Sequence, residues 1–361
     1  MAVLLLVYLA AAALVYGAVK LVRMRLFYRG LPQPPGHSLL WGHLKLFGEI
    51  SQKFPPNVHP MVVLTYMHRV YNLPEVFYVD MWPAAPPIMA CCSPEAAAQV
   101  TQVQHGSNSG TPVRPLPEDE DWLHLFETNM RAMFFGAQGT TTDTLCHVYM
   151  LLSCYPDVMR RLRDEHDRVC AGPGTLDDAA RLLRDEPHRT AELEYTTAVI
   201  KETLRMFPVG FVVRGDDKNA DGFMEINGKR YPTKNQMIAP STHTIHHDPS
   251  VYPDPMSFKP ERWLANPPPL RNAWRPFELG PRACMGREVA MDEMRAVLLL
   301  TARWFDFEIA GPGANPKPRV PEVTTLDADT PMGDWAFQEL VMEAKPRGGT
   351  MMRVRRTGRP L

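Results

Sequence analysis

The chain has 361 residues, 45% of them hydrophobic and 22% charged, enough apolar material for a sizeable core, which excludes a disordered chain and a disulfide-stapled miniprotein. Its 39 Lys and Arg against 40 Asp and Glu give a net charge of -1, leaving no basic field for nucleic acid and no acidic tail. Six cysteines with no CxxC pair and no zinc spacing indicate a reducing compartment.

In chain order, Ala2 to Val19 is an uncharged apolar run followed directly by Lys20, Arg23, Arg25 and Arg29. Its length suits a bilayer-spanning helix, and basic residues after the apolar stretch mark a signal anchor with the body on the cytoplasmic side. Residues 1–19 are therefore expected to form a transmembrane anchor and 20–45, with Pro32, Pro34 and Pro35, a basic, Pro-rich hinge. From Met61 to Cys92 the runs MVVLTY, EVFYVDMW and PPIMACC are expected as strands of a small lobe, and Ser93 as N-cap of a short helix. Residues 105–121 form a polar join. Helices are expected over Trp122–Tyr155, Asp157–Cys170 and Thr190–Phe207, the last ended by Pro208. A small sheet with a hairpin at Asn227-Gly228, a Pro-rich meander over 248–281, a helix from about 285 to 305 and a tail hairpin near Gly348-Gly349 complete the chain. The fold class is mainly α with small β-sheets.

One segment stands out chemically. Phe277-Glu278-Leu279-Gly280-Pro281-Arg282-Ala283-Cys284-Met285-Gly286 delivers a single cysteine to the start of a helix, where backbone N–H groups, the helix dipole and Arg282 supply positive potential suited to a metal-ligating thiolate. Its pattern, FxxGxRxCxG, resembles the cytochrome P450 family, in which this cysteine is the axial ligand of heme iron. The resemblance implies heme b as cofactor, with Cys284 on the iron and Phe277 and Gly286 lining the loop. Glu202 and Arg205, on one helical face in AVIKETLRMFP, match the family's ExxR helix, and Arg262 in FKPERW supplies the second arginine of a structural Glu–Arg–Arg cluster. Arg282 and Arg214 stand where the family holds the heme propionates. In FFGAQGTTTDTL, a turn distorted over an oxygen site is expected, with Thr140 as proton-relay threonine and Thr141 beside it. Gly139 replaces the acid that usually precedes that threonine, with Gln138 and Asp143 as nearby substitutes.

The resemblance covers the anchor, the first lobe and the chain from Phe126 onward. The helical block that the family carries in between is missing around residues 105–125, and with it the WxxxR pattern, since Trp122 is followed by Phe126 at the fourth place. Residues 46–361 are thus expected to form a truncated heme-thiolate domain. The implied function is a monooxygenase of the endoplasmic-reticulum membrane. It would insert one oxygen atom of O2 into a small lipophilic secondary-metabolite intermediate, with electrons from NADPH-cytochrome P450 reductase. Three alternatives stand beside it: an inactive heme-binding pseudoenzyme, a spliced or mispredicted chain, and a heme-thiolate isomerase or dehydratase that needs no NADPH.

Overall fold

The first element is one helix, α1 (Ala2–Phe27). The segment expected to open a hinge at residue 20 is therefore helical for two further turns. No proline interrupts it, and the chain leaves the helix only where Gly30 takes φ +81° and Pro32 follows. The computed structural model describes residues 2–101, 120–172, 174–215, 222–265, 270–310, 320, 337–340, 344–349 and 351–359. Among these, no helix is long and apolar enough to cross a membrane. The expected anchor includes residues 1–7, 10 and 13, whose side chains lie outside that description.

The N-terminal lobe contains α2 (Leu44–Ser51), α3 (Pro60–Val70), β1 (Val76–Val79), β2 (Ile88–Cys91) and α4 (Pro94–Thr101). MVVLTY, expected as a strand, forms the body of α3. Pro60 sits in its first turn and His59 accepts the Met61 N–H at 3.3 Å, while Met61 through Met67 are all buried. An apolar run buried all round carries no period, so its helix start signals decide. Ser93 caps α4 as expected, accepting the Ala96 N–H at 3.1 Å.

The helical body follows as α5 (Glu120–Cys154), α6 (Pro156–Val169), α7 (Leu176–Asp185) and α8 (Glu194–Met206). The polar join expected at 105–121 lies, up to residue 119, outside the described residues. The helix start expected at Thr190 is instead a 3-10 turn over Pro187–Glu192. α8 begins without a side-chain cap of its own. Glu165 of α6 takes that role across the helix pair, accepting the N–H groups of Tyr195 and Thr196 at 2.6 and 2.8 Å.

Beyond α8 come β3 (Phe223–Ile226), β4 (Lys229–Pro232), β5 (Met237–Pro240), α9 (Thr242–His246), α10 (Arg287–Thr301), β6 (Phe305–Ile309), β7 (Glu339–Leu340), β8 (Ala344–Lys345) and β9 (Met352–Arg356). The β3–β4 hairpin turns at Asn227-Gly228, both with positive φ, as its sequence indicates. The tail differs from expectation: β9 pairs antiparallel with β6, while Gly348 and Gly349 turn the chain away from the β7–β8 pair. β2 lies between β1 and the parallel β5. Side chains alternate to its two sides: Phe77, Val79, Ile88 and Ala90 pack with α2 and α3, whereas Val76, Tyr78, Met89 and Cys91 pack with Tyr28, Ala96 and the β3–β4 hairpin. A separate core joins α5, α6, α8 and α10.

Candidate functional site

The cysteine loop is closed by backbone bonds. The Cys284 N–H donates to Phe277 C=O at 2.8 Å, Ala283 N–H to Gly280 C=O at 2.9 Å and Glu278 N–H to Arg275 C=O at 3.1 Å. Glu278 and Gly280 both take left-handed φ, +53° and +82°. Phe277 packs on the helical core and meets Trp274 edge to face at 5.9 Å. Of the six cysteines, Cys284 alone is exposed, next to Met285 and Val289, which are 87% and 71% exposed. Gly286 precedes α10; a Cβ there would stand 3.8 Å from Cys284 Sγ, ordinary contact, so space alone does not demand that glycine. Arg282 is exposed on the loop.

Beneath the loop, the expected cluster is assembled. Glu202 Oε1 accepts from Arg205 Nη2 at 2.9 Å, Arg262 Nε at 2.8 Å and the Lys259 N–H at 3.1 Å; its Oε2 accepts from Arg205 Nε and Trp263 Nε1, both at 2.9 Å. The carboxylate and Arg205 are fully buried. Five donors converging on one buried carboxylate make a brace, not a reaction site.

The link between this brace and the loop was not legible in the sequence. His246 Nε2 accepts the Arg275 N–H at 3.0 Å, its Nδ1 lies 3.0 Å from Arg205 C=O, and Arg205 Nη1 donates to His246 C=O at 2.8 Å. A backbone N–H can only donate, so Nδ1 carries the proton. Burial, with the Arg205 charge behind it, holds His246 well below the ordinary histidine range, and the ring is neutral. Arg275 in turn pairs with Glu278 at 2.6 Å and donates to Thr101 Oγ1 at 2.5 Å, fastening the loop to α4. The sequence signal, Arg and Glu three apart in RPFE, reads equally well as a surface pair.

On α5 the expected distorted turn is absent: the helix runs unbroken through Gly136 and Gly139. Thr140 and Thr144 hydroxyls donate to the Gly136 and Thr140 carbonyls, both at 2.8 Å, so the threonines bind their own helix. Thr141 is buried and Gln138 exposed. His147, one turn past Asp143, is stacked on Phe207 at 4.6 Å and lowered to about 4 by burial. Toward its N-terminus α5 exposes Leu123, Leu125, Met133, Phe134 and Phe135. Arg214 bridges Ile238 through its backbone, beside the exposed Val213. The structure thus joins Glu202, Arg205 and Arg262 directly, while Thr140 and Cys284 stand on separate elements that share one core.

Among the described residues, no group of three or more His, Cys, Asp and Glu could hold a metal ion. A single exposed thiol therefore suits a metal that carries its other ligands with it. Apolar neighbours Met285 and Val289 suit a flat macrocycle, and Arg282 suits acidic groups on its rim. The residues fit heme.

A thiol loop braced by a buried Glu–Arg–Arg cluster beside a long helix defines a heme-thiolate class of protein. The chain belongs to the cytochrome P450 family, whose model matches residues 124–328. It is 37% identical over 250 residues to cytochrome P450 monooxygenase acrF of Aspergillus aculeatus, covering 63% of this chain and 49% of that protein. With cytochrome P450 monooxygenase PC-23 of Penicillium crustosum it shares 39% over 166 residues, 45% of this chain and 79% of the relative. PC-20 of the same organism aligns at 24% identity over 428 residues, taking in 83% of this chain and 87% of the relative. That alignment is longer than this chain's 361 residues, so part of PC-20 faces no residue here. The chain spans about half the length of acrF.

Proposed function

We propose that this chain binds heme b through Cys284 and acts as a monooxygenase, inserting one oxygen atom of O2 into a small lipophilic substrate of fungal secondary metabolism. The observation that carries this reading is the exposed Cys284 on a closed loop, at the start of α10, tied through His246 to the Glu202 brace. Bound heme supplies a redox-active iron whose thiolate ligand favours O–O cleavage. The chain's own residues hold and orient it: Phe277 backs the loop, Arg282 and Arg214 are the cations for its propionates, and Glu202, Arg205 and Arg262 keep the loop's footing rigid. Thr140, with Thr141 beside it, is the hydroxyl placed to pass protons, once its bond to Gly136 C=O is exchanged for water. Electrons come from NADPH-cytochrome P450 reductase. Residues 2–19 anchor the chain as a single span in the endoplasmic-reticulum membrane with the body in the cytoplasm; the uncharged run followed by Lys20 and Arg23 supports this.

A second reading is heme binding without turnover, favoured by the apolar residues that α5 exposes from Leu123 to Phe135, since an uncovered face admits water. Both are tested on the full chain in detergent. The ferrous–CO complex is expected to show the red-shifted Soret band of thiolate ligation, lost in Cys284→Ser and kept in Cys154→Ser. A band unchanged in Cys284→Ser overturns heme ligation. A normal band with no reductase-dependent NADPH oxidation selects the second reading.

A further inference from the structure

α5 changes character along its length. Its part in the helical core begins at Leu145 and runs through Val148 and Leu152, and Thr141 and Thr144 just before it are buried. From Leu123 to Gln138, by contrast, every residue is exposed except the half-buried Met130. A stretch of about four turns is marginal as a helix in water by itself, and this one presents large apolar side chains: Leu123, Phe126, Met133 and Phe134 are 59%, 49%, 55% and 69% exposed. Their order along the chain is regular. Leu123, Phe126, Met130, Met133 and Ala137 recur at alternating steps of three and four residues, the repeat of a helix that packs lengthwise on another helix. With Phe134 they fall within about 100° of the helix circumference, a single stripe.

One flank of the stripe is charged and balanced within itself. Glu127 and Arg131 stand there, paired at 3.2 Å, while the other flank carries the uncharged Asn129 and Thr140. Two copies of the stripe packed antiparallel about a two-fold axis lay the same flank of each helix side by side. With that axis at Met130, Arg131 of one copy comes level with Glu127 of the other to within about 3 Å along the helix. Each carboxylate then has one guanidinium on its own helix and a second across the interface. A parallel pair sets the charged flank against the uncharged one and gains no such match. The half-exposed apolar side chains, with the stems of Glu127 and Arg131, offer roughly 600 Å² per copy. Two copies therefore bury about 1,200 Å², the lower end of specific interfaces. The same packing brings the start of one copy's α5 level with Thr140 of the other, about one turn beyond Ala137.

We propose that a second copy of this chain covers the stripe, so that the protein forms an antiparallel dimer through α5 with Glu127 and Arg131 matched across the two-fold axis. The inference stands apart from the heme-thiolate reading, because mass is measured whether or not heme binds. Sedimentation equilibrium of the full chain in density-matched detergent, over a range of protein concentrations, is expected to show a reversible dimer. Met133→Glu places a charge on the stripe at an exposed position and is expected to give a monomer over the same range with unchanged helix content. The charged flank supplies a second test. Glu127→Arg makes the pair wholly basic and Arg131→Glu makes it wholly acidic, so each variant alone should dissociate about tenfold more readily. An equimolar mixture of the two should associate at least as tightly as the unaltered chain, although within each helix the two charges now repel. An unaltered chain that is monomeric throughout overturns the proposal. A dimer whose affinity Met133→Glu leaves unchanged assigns the association to another surface, α1 included, and overturns it as well. A mixture no tighter than its components refutes the antiparallel match and the proposal with it.

Discussion

Glu202→Gln isolates what the buried brace contributes, because it keeps the shape and removes the charge. Glu202 Oε1 receives three donors and Oε2 two. A glutamine oriented with its oxygen in the Oε1 position turns its amide N–H groups toward Arg205 Nε and Trp263 Nε1, donor against donor. Arg205 is then left buried without a countercharge, and Arg262, largely covered, loses its partner. Breaking a buried pair from one side costs about 3–5 kcal/mol, a large part of the roughly 5–15 kcal/mol that holds a domain folded. The control is Glu127→Gln on α5, whose pair with Arg131 at 3.2 Å also joins neighbouring turns of one helix but has side chains 58% (Glu127) and 80% (Arg131) exposed; it should move stability by no more than about 0.5 kcal/mol. Urea titration followed by tryptophan emission reads both, and Trp263 reports from inside the cluster. A Glu202→Gln chain within about 1 kcal/mol of the unaltered one would refute the argument that burial makes this pair decisive.

Three further outcomes are expected. Thr140→Ala should leave heme content intact and send NADPH electrons to hydrogen peroxide, with product formation down by about 100-fold, Thr140→Ser should retain coupling and Gly139→Asp raise it; equal product-to-peroxide ratios throughout would make Thr140 a packing residue. Glu165→Ala removes the acceptor for the Tyr195 and Thr196 N–H groups and should cost about 1–3 kcal/mol, read as faster hydrogen exchange at the start of α8, and unchanged exchange there would contradict the cap. His43, His59 and His147 are each lowered from 6.5 to about 4, chiefly by burial, so the unfolded chain takes up protons first as pH falls. Stability is then fully present above about pH 6.5 and is lost from there toward pH 4, each group contributing up to about 1.4 kcal/mol per pH unit, and a urea midpoint that stays level between pH 7 and 5 would count against neutral buried histidines.

The chemistry-bearing loop, the Glu202–Arg205 helix, the second arginine at 262, the long helix carrying Thr140 and the β3–β4 turn all follow from the residues alone. Each is encoded locally: a thiol among glycines and proline, an i,i+3 pair, a PERW segment, an Asn-Gly turn. Where a local pattern has two physical solutions, tertiary structure chose. MVVLTY is apolar on every side, so it became α3 because Pro60 and His59 start a helix and the core accepts all its faces. The threonines of α5 suggested a distorted turn, but their hydroxyls bond to carbonyls one turn back and the helix stays whole. Gly348 and Gly349 turn the chain without closing a hairpin, because β9 finds its partner in β6, far back in sequence. Arg25, read as one basic residue among four, and His246 took their functions from atoms distant along the chain, Asp80 for one and Arg275 for the other. Charge and hydrogen-bonding capacity are written in the residue; which partner satisfies them is set only when folding excludes water from the pair.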